Sequence, residues 1–269
     1  PNPLPRIKSE VSLNTVWSKK IGDGVGEKAL RIEPKIQGKR IISASPDGKV
    51  KAHLIDSGKE IWAADIKDFF EEQDFSKVLS GNVDILTGGV EADSKFVFVC
   101  SASGHLFALN QIDGSFGWKA SISSESLAPP KVDNDLVVVQ TIDGKVAGYG
   151  ASDGSKRWEY AAKIPPLTLR GTSTPMIYDD IVIAGFSNGR IAFITRDDGL
   201  AAFEQIVGVP EGVSDLEKLV DLDGKMAIEN NILYISGYQG RLIAIDLRAG
   251  DILWEREASS LAGVSFGFG

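Results

Sequence analysis

The chain has 269 residues and a formal net charge of −8, with charged residues at 25% and a single cysteine. This balance argues against a nucleic-acid face, which calls for clustered Lys and Arg. No apolar run is long enough to cross a bilayer as a helix, and the lone Cys100 excludes an intrachain disulfide.

Five glycine pairs set the frame for everything else: Gly48/Gly58, Gly104/Gly114, Gly144/Gly154, Gly189/Gly199 and Gly240/Gly250. Four residues after each pair stands a large aromatic: Trp62, Trp118, Trp158, Phe203 and Trp254. The first glycines are spaced by 56, 40, 45 and 51 residues. A repeat of this period means that one supersecondary unit is laid down again and again.

The chain opens Pro1-Asn-Pro-Leu-Pro without a signal peptide, as a mature or trimmed chain does. Trp17 follows within Asn14-Thr-Val-Trp-Ser-Lys-Lys-Ile21 and reads as an orphan last strand, a partial unit over about 11–22. The first full unit covers about 30–66. Asp65–Gly81 then exceeds what a minimal unit needs; it reads first as a decorated connection, and alternatively as a short acidic helix with Phe69, Phe70 and Phe75 packed on the sheet rim.

Full units follow over about 83–122 and 126–161. Each contains short β-rich runs such as Phe96–Ser101, bounded by Gly and Asp turns, the pattern of hairpin-linked strands. With a further apolar stretch upstream, each unit has four antiparallel strands. Cys100 lies inside an apolar run, where a buried, inert thiol is expected. Two more units cover about 171–207 and 225–257, and 258–269 leaves room for one strand at most.

Two further insertions interrupt the rhythm. In Ala161–Gly171, Pro165 and Pro166 forbid a helix and hold the backbone extended, presenting Leu167, Leu169 and Arg170. In Gly208–Gly224, Ser214 and Glu217 form a capping box, Leu216, Leu219 and Val220 have helical spacing, and Asp221 and Asp223 follow. Both insertions join the last strand of one unit to the first strand of the next. Equivalent connections lie on one face of a radial array, so the two are expected to be neighbours. Read from spacing alone, Arg170 paired with Asp221 or Asp223 ties the loops together; the same groups could also dock a partner.

Four-stranded units repeated radially describe an all-β fold, a β-propeller, in which each aromatic wedges between neighbouring sheets. The run Ala108…Asn110…Gly114…Trp118, repeated as Ala244…Asp246…Gly250…Trp254, resembles the tryptophan-docking motif of quinoprotein (PQQ-like) propellers, which have eight blades. WD40 repeats place Asp after the Trp; here Ala63, Lys119, Glu159 and Glu255 stand there. Five full blades plus partial terminal blades imply an incomplete fragment of an eight-bladed protein.

Pro165–Pro175, Asn188-Gly-Arg190, Asp215–Asp223 and Tyr238–Trp254 together closely resemble the BamB family, lipoprotein subunits of the outer-membrane β-barrel assembly machinery. The resemblance implies a non-catalytic scaffold on the periplasmic face of the Gram-negative outer membrane, attached only through an N-terminal lipid that this chain lacks. It also implies that Leu167, Leu169, Arg170, Asp221 and Asp223 bind the POTRA region of BamA. Unfolded outer-membrane β-barrel proteins are further candidate partners, and no cofactor is expected.

A quinoprotein (PQQ-dependent) dehydrogenase is the enzymatic rival on this fold. Its vicinal cysteine pair cannot be built from one Cys, and Asp-x-Asp alone is a weak Ca²⁺ signal. His53 and His105 hold different repeat positions and read as strand-surface residues rather than ligands.

Overall fold

The computed structural model describes residues 12–24, 30–70, 85–163, 173–207, 222, 224–237, 241–258 and 263–267. The described strands form five blades, each a four-stranded antiparallel sheet. Blade 1 contains strands Lys35–Gln37, Arg40–Ala44, Lys49–Leu54 and Glu60–Asp65. Blade 2 has Leu86–Ala92, Phe96–Ser101, His105–Asn110 and Phe116–Ser121. Blade 3 has Lys131–Asp133, Leu136–Gln140, Lys145–Gly150 and Lys156–Ala161. Blade 4 has Met176–Tyr178, Ile181–Gly185, Arg190–Thr195 and Ala201–Ile206. Blade 5 has Ala227–Glu229, Ile232–Ile235, Arg241–Asp246 and Ile252–Glu257. The β-propeller expected from the repeat is present.

The core lies between blades, because the inner strands of each blade have two apolar faces. In Phe96–Ser101, Val97 and Val99 pack toward blade 1 with Ile42, Val50 and Trp62. Phe98 and Cys100 point the other way, into blade 3 with Val137, Val139 and Tyr149. Successive side chains alternate across a strand, so a sheet buried on both faces reads as an unbroken apolar run.

The aromatic after each glycine pair is the clamp between blades. Trp62 Nε1 donates to the Gln111 carbonyl of blade 2 at 3.1 Å, and Trp118 Nε1 to Ala151 of blade 3 at 3.1 Å. Trp158 Nε1 donates to Arg196 of blade 4 at 2.7 Å. Trp17 treats blade 1 the same way, donating to Ile55 at 2.8 Å, although its own segment joins no sheet among the described residues. Each indole lies on the second glycine of the next blade. A Cβ on Gly114 would sit 2.5 Å from the Trp62 ring, and Gly114 also has φ of +74°. Both the close approach and the left-handed backbone exclude other residues there.

Inside each blade the residue paired with the Trp is small: Ala52 with Trp62, Ala108 with Trp118, Gly148 with Trp158, Ala244 with Trp254. Blade 4 departs from this rule by pairing Phe193 with Phe203, whose rings are 5.7 Å apart. Phe203 has no indole N–H to donate, and a Cβ on Gly250 would lie 3.9 Å from its ring. It is 45% exposed, against 8% for Trp118. At the aromatic position, the seam between blades 4 and 5 is therefore packed less closely than the seams clamped by a Trp.

Near the axis the first strands of blades 1 to 4 touch their neighbours. Arg31–Ile32 adds a fifth, parallel strand to blade 2, in register with Gly88 and Gly89. The extra segment after blade 1 holds a 3₁₀ turn, Ile66–Phe69, capped by Asp65, whose carboxylate accepts from Lys67 N at 3.0 Å. The rest of that segment, from residue 71 onward, lies outside the described residues. Phe69 packs on Phe116 and Phe70 on Phe107, as the sequence suggested, while Phe75 lies outside the described residues.

Candidate partner-docking face

Leu167, Leu169, Arg170, Asp221 and Asp223 all lie outside the described residues. What the structure describes is where their two segments are rooted. The first leaves the outer strand of blade 3 at Lys163. Asn188, in the turn of blade 4, donates from Nδ2 to the Lys163 carbonyl at 2.8 Å and accepts from Arg190 N at 3.1 Å.

The segment returns at Ser173, which is buried near the axis. Ser173 Oγ accepts from Gly185 N at 3.0 Å and donates to Gln140 Oε1 at 3.0 Å. Gln140 closes the ring by donating from Nε2 to the Gly185 carbonyl at 2.7 Å. Three buried polar groups thereby satisfy one another across blades 3 and 4, as burial requires.

The second segment passes through Leu222, which is also buried and packs on the same Gly185. A Cβ built on Gly185 would stand 2.8 Å from the Leu222 carbonyl oxygen and 3.0 Å from its Cβ. Glycine is required there because both returning segments press on its Cα. Gly185 is therefore the point where Ser173 and Leu222, the described residues beside the two insertions, come together. Neither Gln140 nor Gly185 was picked out by motif; the signal was weak, since Gln140 and Gly185 each stand four residues before the first glycine of their repeat.

Around the axis, Glu91 is buried, its side chain 4% exposed, between two lysines. Lys131 Nζ lies 3.1 Å from Glu91 Oε2, and Lys35 Nζ contacts Oε1. This triplet ties blades 1, 2 and 3 together. Lys35, Glu91 and Lys131 each stand thirteen residues before the first glycine of their repeat, a ring position that the sequence reading passed over.

The histidines are not on the surface as expected. His53 is 2% exposed, because Trp17 stacks over it with ring centroids 6.3 Å apart. His105 is sealed by Phe70 and Phe107, and its Nδ1 meets Ser103 Oγ at 3.1 Å. Docked aromatics, not strand edges, set the environment of both. Cys100 is buried, and burial pushes its thiol up to about 12, so it is unreactive.

His53 makes the Trp17 contact sensitive to pH. Burial lowers its pKa; the Glu60 carboxylate opposes this, and Lys51 and Lys19 reinforce it. A histidine whose folded value lies below its unfolded value of about 6.5 contributes full stability above that pH. The contribution is lost as pH falls below it toward the lowered value. Between pH 7 and 5, Tm should drop more for the wild-type chain than for His53→Gln, with Trp17 becoming more accessible to quencher. Equal slopes for the two chains would contradict this.

Comparison with known proteins gives the same picture. A family model described as outer membrane protein assembly factor BamB matches residues 46–266. The outer membrane protein assembly factor BamB of Yersinia pestis is 33% identical over 260 residues, covering 97% of this chain. The chain spans 65% of that relative's length. The crystal structure of BamB from Moraxella catarrhalis superposes with a TM-score of 0.75 at 27% identity, over 86% of this chain and 65% of that one. A quinohemoprotein alcohol dehydrogenase from Pseudomonas putida HK5 has a TM-score of 0.63 at 15% identity, over 83% of this chain and 41% of that one, which is a likeness of fold alone.

Proposed function

The chain belongs to the BamB family of outer membrane protein assembly factors, and on that premise we propose that it is a non-catalytic scaffold of the outer-membrane assembly complex. It docks on the POTRA region of BamA and aids insertion of β-barrel proteins. It works on the periplasmic face of the outer membrane, as a lipid-anchored subunit.

The observation that carries this reading is the shared contact at Gly185. Arg170 is three residues from Ser173, so their Cα atoms are at most about 11 Å apart. Asp221 and Asp223 flank Leu222, each about 3.8 Å away along the chain. Ser173 and Leu222 both contact Gly185, which supports the reading that the Leu-x-Leu-Arg and Asp-x-Asp segments share one face. Apolar anchors beside opposite charges give a docking patch its affinity and its register. The dehydrogenase reading has only the fold in its favour.

Replacing Arg170 by Glu should abolish co-purification with the purified POTRA region of BamA while leaving the β-sheet circular dichroism unchanged. Normal binding by that variant would remove the docking role.

A further inference from the structure

We propose that the cleft between blades 3 and 4, at the rim beside Lys163, receives a carboxylate from an acidic segment of the docked protein. The identity of that protein rests on the reading above; the chemistry of the cleft does not.

The cleft has a volume of about 380 Å³ and is lined by Tyr160, Lys163, Phe186, Arg190, Ile191 and Glu204, among others. Phe186 and Ile191 are buried and form an apolar floor. Its lip is cationic: Asn188 bridges the Lys163 carbonyl and the Arg190 N–H, so the backbones carrying both cations are fixed side by side.

The acid already in the cleft accepts its hydrogen bond from Tyr160 and makes only a long ion pair with Arg190. Glu204 Oε1 accepts from the Tyr160 hydroxyl at 2.8 Å. Arg190 Nη1 is 3.6 Å from Glu204 Oε2, too long for a hydrogen bond, and the Arg190 side chain is 44% exposed. A planar guanidinium that donates no side-chain hydrogen bond among the described residues, at the mouth of an apolar pocket, is suited to bidentate capture of a carboxylate. Two cations against one anion also reverse, locally, the sign of a chain whose net charge is −8. That reversal favours an acidic segment over a basic one. The Asn188-Gly-Arg190 turn thereby gains a role: it sets the lip.

The test uses two substitutions of opposite expected sign, read as affinity for the purified POTRA region of BamA. Arg190→Gln should weaken binding by about tenfold or more, the size of a lost charged hydrogen bond. Glu204→Gln keeps an acceptor for Tyr160 but removes the competing charge, and should tighten binding about threefold or more. A merely structural role predicts weaker binding from both. If Glu204→Gln weakens binding or leaves it unchanged, the cleft proposal is overturned. Loss of binding in Arg170→Glu, with both cleft variants at wild-type affinity, overturns the cleft alone and leaves the docking face standing. Failure of the unaltered chain to bind overturns the docking reading instead.

Discussion

Truncating Trp118 to alanine should lower the unfolding free energy by about 3–5 kcal/mol, the range for deleting a buried large aromatic. Trp118 is 8% exposed, stacks on Gly154 and donates its indole N–H to Ala151. The substitution opens a cavity between blades 2 and 3 and strands that carbonyl. Trp118→Phe keeps most of the ring and should cost about 1–2 kcal/mol, mainly through the lost hydrogen bond. Trp254 holds the same repeat position but is 38% exposed, with Tyr234 at 6.0 Å and Arg256 at 5.6 Å from its ring. Its truncation should cost well under half as much as that of Trp118. Urea unfolding of the three variants is the check. Equal costs at Trp118 and Trp254 would mean that the indole does not act as a clamp between sheets.

The second large effect is expected at the axis. Lys35→Met with Lys131→Met leaves the Glu91 carboxylate buried with no cation beside it, its remaining described hydrogen bond coming from Ala92 N at 3.0 Å. Breaking a buried ion group from one side costs about 3–5 kcal/mol, because the surviving charge is uncompensated. Adding Glu91→Gln to the same background removes that charge and should recover most of the loss. Replacing a whole buried ion group is often close to neutral. The double variant alone should therefore be less stable than the triple variant. The opposite order would show that the lysine stems, rather than the charges, hold blades 1 to 3 at the axis.

The sequence disclosed those features that depend on local backbone chemistry. Gly114 and Gly154 are visible because a left-handed turn under an indole admits nothing else. Asn110 and Asp246 are visible because each carboxamide or carboxylate oxygen caps its own turn, accepting from Ile112 N at 2.9 Å and Arg248 N at 2.8 Å. Long-range relations were harder. His53 and His105 looked like surface residues because the rings that cover them come from Trp17, 36 residues upstream, and Phe70, 35 residues upstream. The Glu91 triplet joins three blades, and only superposing the repeats shows that its members share one position. Phe203 matched the aromatic position, yet its looser seam follows from Phe193 across the ladder, which a linear motif does not display.

The roots of the proposed docking face were legible in a different way. Repeat arithmetic placed the two insertions in consecutive connections, and the described roots at Ser173 and Leu222 meet at Gly185. The pairing depends on a buried Ser–Gln–Gly ring that no motif announces. The five candidate residues themselves lie outside the described residues, so their role stands as a proposal.

The nearness of the two loops is open to direct measurement. In a Cys100→Ser background, nitroxide labels at Arg170→Cys and Asp221→Cys report the separation of the segments by pulsed electron spin resonance. Chain geometry from Gly185 outward predicts a distribution centred below about 25 Å. A distribution centred above about 40 Å exceeds that reach and would place the segments apart, dissolving the face on which docking depends.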